Sequence, residues 1–316
     1  METTTSKNNK DRIFVDVAIL IMTFLMVGTS EIFHNREIIF PEIAAITIGS
    51  IFLPNMFWET DKIRILIYIT LCAVLGVLIV LFCPGSHIVK LIFAFFLAQV
   101  IFILSGTSFA PMISAMVLPI LLQTTSKAYL ISAISFTALA LVIRIIFEKT
   151  GYRQKETFEK IKRGPLDFRD LFVRVVIGAV LIILAIKSGL KFMMAPPLLV
   201  AFTELTNRET APRKHPFKVI LLMFLCALTG SLLRFIIHMR LNLPLTLAAV
   251  LAMGIFLFFF RKIKIYLPPA GAITILSFLI PEKFVLYYPI HVLIGISILM
   301  ASALIFFRSK NQKEPA

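Results

Sequence analysis

The stretch IYLPPAGAITILSFLI, residues 265–280, decides how this chain folds. Pro268 and Pro269 stand side by side in an apolar segment, followed by Ala270, Gly271 and Ala272 and then an apolar run containing Thr274. Proline suits the first turn of a helix, where its missing N–H would have no partner. The residue before a proline is pushed out of the helical region, so Leu267 and Pro268 are expected to be extended. Lys264 is expected at the water boundary. About four extended residues span some 13 Å. A helix over 268–280 adds about 20 Å, and together they match a hydrocarbon core of about 30 Å. The expectation is a short helix whose N-terminus lies inside a membrane. A lone pair of prolines would equally describe a kinked transmembrane helix with no site.

The layout recurs. MMAPPLLVAFTEL (193–205) opens on Pro196 and Pro197, while FPEIAAITIGSIF (40–52) and FAPMISAMVLPILL (109–122) are single-proline versions at Pro41 and Pro111. Of the 316 residues, 59% are hydrophobic, and the mean hydropathy is +0.94. A soluble domain of this size has no interior for so much apolar surface. The fold class is therefore all-α, a polytopic membrane protein.

Twelve apolar segments are expected: 14–33, 38–52, 63–82, 89–104, 109–122 and 128–147, then 171–186, 192–205, 217–237, 243–260, 265–280 and 285–307. The net charge of +15 does not indicate nucleic acid, because the cations sit in short loops between apolar runs. If all twelve segments cross, one side receives the tail 1–12, the linker 148–170, the loop 206–216, Arg261, Lys262 and Lys264, and the tail 308–316. The other side holds only Arg36, Lys90, Lys127, Lys187, Lys191, Arg240 and Lys283. The positive-inside bias then sets both termini in the cytoplasm of a multi-pass cell-membrane protein. Re-entrant proline segments would instead put Arg208, Arg213 and Lys214 outside against Glu209 alone, so crossing segments are preferred. The polar N-terminus has no cleavage site after the first apolar run, and that helix is expected to be retained. Cys72, Cys83 and Cys226 have no metal-ligand spacing. No metal and no cofactor are expected.

The linker EKTGYRQKETFEKIKRGPLDFRD divides the chain. It reads either as an amphipathic helix lying on lipid through Phe158 and Ile161 or as a solvated connector. On its two sides the chain repeats: LCAVLG at 71–76 matches LCALTG at 225–230, Pro41 matches Pro196, and Ala110-Pro111 corresponds to Pro268-Pro269. The expected organisation is a first repeat over 13–147 and a second over 171–307, in parallel. Each is built from two inverted units of long, short and long segments, so that the short helices begin near the midplane.

YLPPAGAITIL (266–276) resembles the signature of the HPP family of integral membrane proteins, a His-Pro-Pro followed by small residues. APPLLVAFTEL (195–205), APRKHPFKVI (211–220) and LCALTG are similar to that family's pattern as well. The resemblance covers 171–307 and implies a bacterial type with a tandem duplicated six-segment unit, whose first half is a degenerate copy. Leu267 stands where the signature has His, and the first half keeps only Pro111 of its pair. Some members of the family are associated with nitrite transport, so the resemblance implies a small inorganic anion as substrate.

Helix N-termini inside the membrane carry partial positive charge and unpaired N–H groups, which suit an anion. The candidate substrate-binding residues are Pro268, Pro269, Ala270, Gly271, Pro196, Pro197, Pro111, Pro41, Glu42, Thr274 and Arg234. The small residues serve helix packing equally well. Glu42 is either a coupling-ion ligand or a built-in anion at its helix end, near enough to Arg36 and Glu37 to reach the interface. Glu204 is read as interfacial. Arg144, Arg174 and Arg234 are read as snorkelling from segment ends, with Arg234 the best anion attractor, and His238 and His291 as interfacial. Thr47, Thr203, Thr274 and Ser277 are expected to bond their own helices. No HExxH, GxSxG or Walker pattern occurs, so catalysis is not expected. The expected partners are the lipid bilayer and a small anionic solute. A homo-oligomer is compatible with the sequence. A non-transporting membrane scaffold or accessory protein is the alternative, and a membrane-embedded enzyme comes third. A cysteine introduced at Glu209 is expected to react with a membrane-impermeant maleimide only after the cells are opened; labelling of intact cells would refute the assigned orientation.

Overall fold

The computed structural model describes residues 2–53, 55–155 and 157–307, with side chains from residue 12 onward. The expected C-terminal tail 308–316 lies outside the described residues. Among the described residues the chain forms twelve α-helices and no strand. They are α1 Glu2–Ile32, α2 Glu42–Thr47, α3 Lys62–Phe82, α4 His87–Ser105, α5 Pro111–Leu122 and α6 Lys127–Lys149. The others are α7 Pro165–Lys187, α8 Pro196–Leu205, α9 Pro216–Leu233, α10 Leu245–Ile263, α11 Pro269–Leu279 and α12 Tyr288–Phe306. Wide π-type turns prolong α2 over Ile48–Phe52 and α9 over Arg234–Arg240.

Seven of these are long and apolar enough to cross a membrane: α1 from Arg12, α3, α4, α6, α9 with its π-turn, α10 and α12, each of 19 to 25 residues. The protein is thus a multi-pass membrane protein. By length and composition, seven of the twelve expected segments qualify as spans. α7 has 23 residues but carries Asp167, Arg169, Asp170 and Arg174. α5, α8 and α11 have only 12, 10 and 11 residues, about 15–18 Å of helix against a core of about 30 Å.

Burial separates the two kinds of helix. α8 and α11 are buried along their whole lengths and α5 from Pro111 to Ile120, whereas the long helices expose Phe24, Leu104, Ile131 and Phe217. Short helices occupy the centre and long ones face the lipid. α5 packs against α3, α4 and α8, and α11 against α9, α10, α8 and α2. Outside them α1 lies on α10, α4 on α7, α3 on α6 and α9 on α12. Two buried tyrosines tie these layers: Tyr129 of α6 donates to the Ala115 carbonyl at 2.8 Å, and Tyr288 of α12 to that of Ile273 at 3.0 Å.

The repeated LCAVLG and LCALTG motifs have a common physical reason. Between apolar helices in lipid there is no hydrophobic driving force, and association rests on close backbone approach at small residues. A Cβ on Gly76 would meet the Met116 carbonyl oxygen at 2.5 Å, and one on Gly230 would meet that of Thr274 at 2.5 Å. Each glycine lets a long helix lie directly on the backbone of a short one.

Two expectations are corrected. Pro268 is not extended but helical (φ −53°, ψ −35°), because its carbonyl already accepts from the Gly271 N–H; the chain lacks regular structure only over 264–267. The linker is neither a surface helix nor a free connector. α6 takes its first residues and α7 its last, and the described part of 152–164 folds back on the end of the bundle. There Ile161 N–H donates to Gly106 O at 2.8 Å, Arg163 donates to Thr107 O at 2.5 Å, and the Arg64 guanidinium lies 4.6 Å over the Phe158 ring.

Since backbone oxygens cannot yield as a flexible side chain can, Gly76→Ala and Gly230→Ala are each expected to destabilise the detergent-solubilised protein by about 1–3 kcal/mol. That exceeds the gain of about 1 kcal/mol from replacing a helical glycine by alanine. A thermal melt of either variant equal to that of the parent would refute the close-approach assignment.

Candidate functional site

The proline-started helices meet in the centre, but their first-turn amides are not open. Ile43 and Ala44 N–H donate to Phe40 and Pro41, Ile113 to Ala110, Leu198 to Ala195, and Ala270 and Gly271 to Leu267 and Pro268, all at 2.8–3.1 Å. Pro41, Pro111, Pro196, Pro197, Pro268 and Pro269 have no N–H to offer. A Cβ on Gly271 would fall 2.3 Å from Ile48 Cδ1 and 3.5 Å from Ala44 Cβ, so α2 fills the space in front of it. α2, α5 and α11 are brought together by their first turns, since Glu42 accepts a hydrogen bond from Ser114 of α5. Glu42 is not interfacial: it is 1% exposed, and its Oε2 has no partner among the described residues.

Arg234 is not with them. It lies at the opposite end of α11, where one terminal nitrogen donates to Ser277 O and Ile280 O, both at 2.6 Å. It is buried rather than snorkelling, and closes the carbonyl end of a short helix. Arg144 does the same for α2, donating to Ser50 O at 2.5 Å, together with Arg153 on Ile51 O at 2.6 Å. Arg213 donates to Leu205 O at 3.1 Å at the end of α8. Thr47, Thr203, Thr274 and Ser277 bond carbonyls of their own helices as expected. His291 is buried and stacks on Phe192, while His238 Nδ1 lies 3.1 Å from Leu243 O.

The open space lies elsewhere. At the linker end of the bundle a cavity of about 640 Å³ is enclosed by the 53–59 loop, the start of α5, α7, the end of α8, the 206–215 loop and the 264–266 arm. Its wall holds Arg174, Thr203, Glu204, Thr206 and Trp58. Arg174, read as snorkelling, is buried. Its Nε donates to Gln99 Oε1 at 2.9 Å and one terminal nitrogen to Thr206 Oγ1 at 3.0 Å. Gln99 Nε2 donates in turn to Thr203 Oγ1 at 2.7 Å. The other terminal nitrogen of Arg174 has no partner among the described residues. The nearby Asp170 does not use it, because Asp170 accepts from both terminal nitrogens of Arg208, at 2.6 and 3.0 Å. Those bonds push the Arg208 guanidinium still further up.

Glu204 is likewise not interfacial. It is 8% exposed, and its Oε1 accepts from Trp58 Nε1 at 2.9 Å. Its Oε2 has no partner among the described residues. Trp58 is held edge-on to Phe109 at 5.1 Å, and its ring occupies the place a side chain at Gly49 would take. A buried charged group without full pairing is expensive, and inside a membrane it is a mark of function. Two buried side chains of opposite charge, each with one unpartnered polar atom among the described residues, therefore line one cavity. No group of His, Cys, Asp or Glu suited to a metal ion occurs among the described residues. Sequence reasoning missed this site. The signals were present in Asp170 and Arg174, four residues apart where the linker meets a segment expected to cross, and in Glu204 and the single tryptophan.

These features define a multi-pass membrane protein with a charged cavity at one end of its bundle. No family model, curated protein or solved structure matches the chain.

The packing at Gly271 sets a test of the helix-start reading. Gly271→Ala is expected to be close to neutral in thermal stability, because the obstacle is the far end of Ile48 and alanine gains about 1 kcal/mol in a helix. Gly271→Asp would bury a carboxylate with no partner and is expected to lower the yield of monodisperse protein. Normal yield for the aspartate variant would mean that open space exists there.

Proposed function

We propose that the protein is a membrane transporter or channel for a small inorganic anion, nitrite-like in size and charge. The observation that carries this is the Arg174 terminal nitrogen left without a partner in the wall of the cavity. A guanidinium nitrogen with its N–H groups unpaired is a good donor to a small oxyanion. Gln99 and Thr206 hold the Nε and the other terminal nitrogen, so the free nitrogen is preorganised. The proline-started helices at Pro41, Pro111, Pro196 and Pro269 serve as the closed wall beyond the cavity. Ala110 lines the cavity, and one turn further along α5 Ser114 meets Glu42.

The proposal includes the linker end as the cytoplasmic one. It also includes two tandem repeats of six segments, each of inverted three-segment units. Supporting this, the helix packing corresponds when α1–α6 are laid on α7–α12: α3–α5 with α9–α11, α3–α6 with α9–α12, α1–α10 with α7–α4, and α2–α11 with α8–α5. Membership of the HPP family is proposed on the motif residues alone. The scaffold reading is favoured by the satisfied amides at the four helix starts, and flux separates the two.

The test is nitrite uptake by the full-length protein in liposomes, corrected for protein-free vesicles. Arg174→Gln is expected to lower uptake at least tenfold, which corresponds to about 1.4 kcal/mol, while remaining monodisperse. Arg174→Lys, a point charge without the planar fork, is expected to fall between. Uptake by Arg174→Gln equal to the parent would remove Arg174 from the site, and absence of flux from the parent for nitrite, nitrate and chloride would overturn the transport reading.

A further inference from the structure

We propose that Glu204 is the site at which a proton is bound and released together with the anion, so that the protein moves one anion and one proton as a pair. This rests on the transport reading above and adds to it the coupling ion.

The geometry is specific. One carboxylate oxygen is held by the Trp58 N–H, and the other is buried and has no partner among the described residues. Glu204 lines the cavity, so a small movement of its side chain brings the covered Oε2 to cavity water, from which it takes the proton. Among the described residues no cation pairs with Glu204; buried Arg213, which reaches the end of α8, bonds the Leu205 and Phe307 carbonyls instead. α8 packs on α5 and α11, which carry no ionisable side chain, and on α12 and the Lys191–Met194 turn. On these last two, Tyr288, His291 and Lys191 sit beside the start of α8, whereas Glu204 is near its end. Of the other groups bordering the cavity, Asp170 and Arg208 bond each other, and Arg163 bonds Thr107 and Asp167. Arg174 is held by Gln99 and Thr206. Glu59 is exposed, and His215, Lys264 and Tyr266 come from the loop and arm at the rim.

The chemistry follows from what each protonation state can do. An ionised carboxylate only accepts hydrogen bonds and repels a second anion. When Oε2 takes a proton from cavity water, the negative charge is removed and an O–H donor appears, while Oε1 keeps the Trp58 bond. That donor can serve an oxygen of an anion received at Arg174. Binding of the anion and of the proton then favour each other by the same factor. Release of the anion restores the carboxylate and returns the proton to water, so the cycle balances with no net charge moved by the pair.

Trp58 is the only tryptophan of the chain, and its indole N–H sits on the titrating group, so its emission reports the event directly. The experiment records the emission maximum of the full-length protein in detergent between pH 5 and 9, with and without sodium nitrite, alongside lumen pH during nitrite uptake into liposomes. One transition is expected, absent in Glu204→Gln. Nitrite is expected to move it to higher pH, by about one unit for a tenfold preference of the anion for the protonated form. Uptake should acidify the lumen. A transition that nitrite does not move, or one that persists in Glu204→Gln, overturns the proposal, as does nitrite uptake without acidification; in each case the transport reading stands. Should Glu204→Gln fail to fold, the nitrite-dependent shift and the acidification in the parent protein decide alone. Loss of all anion flux in the parent overturns the transport reading and this proposal with it.

Discussion

Every helix end placed inside a membrane leaves backbone groups that water cannot reach, and the protein must satisfy them itself. The four short helices put this constraint at the centre of the molecule. Their starts are closed by tight turns, in which amides one to three residues into the helix return to carbonyls three or four residues back. Their ends are closed, in three of the four, by arginines: buried Arg144 and half-buried Arg153 after α2, buried Arg213 after α8 and buried Arg234 after α11. α5 instead ends on Gln123 in the left-handed conformation, whose N–H and that of Thr124 return to Ile120 and Pro119. The guanidinium suits this task because it stays charged and offers several donors in a plane.

Much of the fold was legible because its signals are local. Prolines at helix starts and runs of apolar residues located all twelve helices, since both depend on a residue and its near neighbours. The LCAVLG and LCALTG pair was visible as a repeat, but not as a contact, because the opposing Met116 and Thr274 carbonyls are some forty residues away. The helical state of Pro268 and the folded-back linker were not legible. The first went against the residue-before-proline rule, which the turn closed by the Gly271 N–H overrides, and the second depends on a distant partner, the end of α4.

The site was less legible than the fold. A buried arginine reads in sequence as a cation that can reach water, and nothing local says whether its donors are used. Arg234 and Arg174 are similar in that respect. Both keep a terminal nitrogen without a partner among the described residues, and Arg234 its Nε as well; what separates them is that Arg234 places its other terminal nitrogen on two carbonyls that complete a helix, while Arg174 lines a cavity. Glu204 and Glu42 pose the same problem, because both are carboxylates beside helix ends that a sequence would place at an interface. Each is held by a donor far away in the chain, Trp58 and Ser114, 146 and 72 residues distant.

The seat of the Trp58 ring over Gly49 links the turn after α2 to the end of α8. The indole rests where α2 turns into its π-type end, and its N–H holds the last turn of α8. Phe57 N–H also bonds the Gly49 carbonyl at 2.8 Å, so the loop bearing the indole is pinned to the same residue. The indole is thus a plate with one edge against the backbone of the π-type turn and the other on a carboxylate of α8. Any side chain larger than hydrogen at Gly49 would have to move that plate, and so would disturb the wall of the cavity from a residue that does not line it.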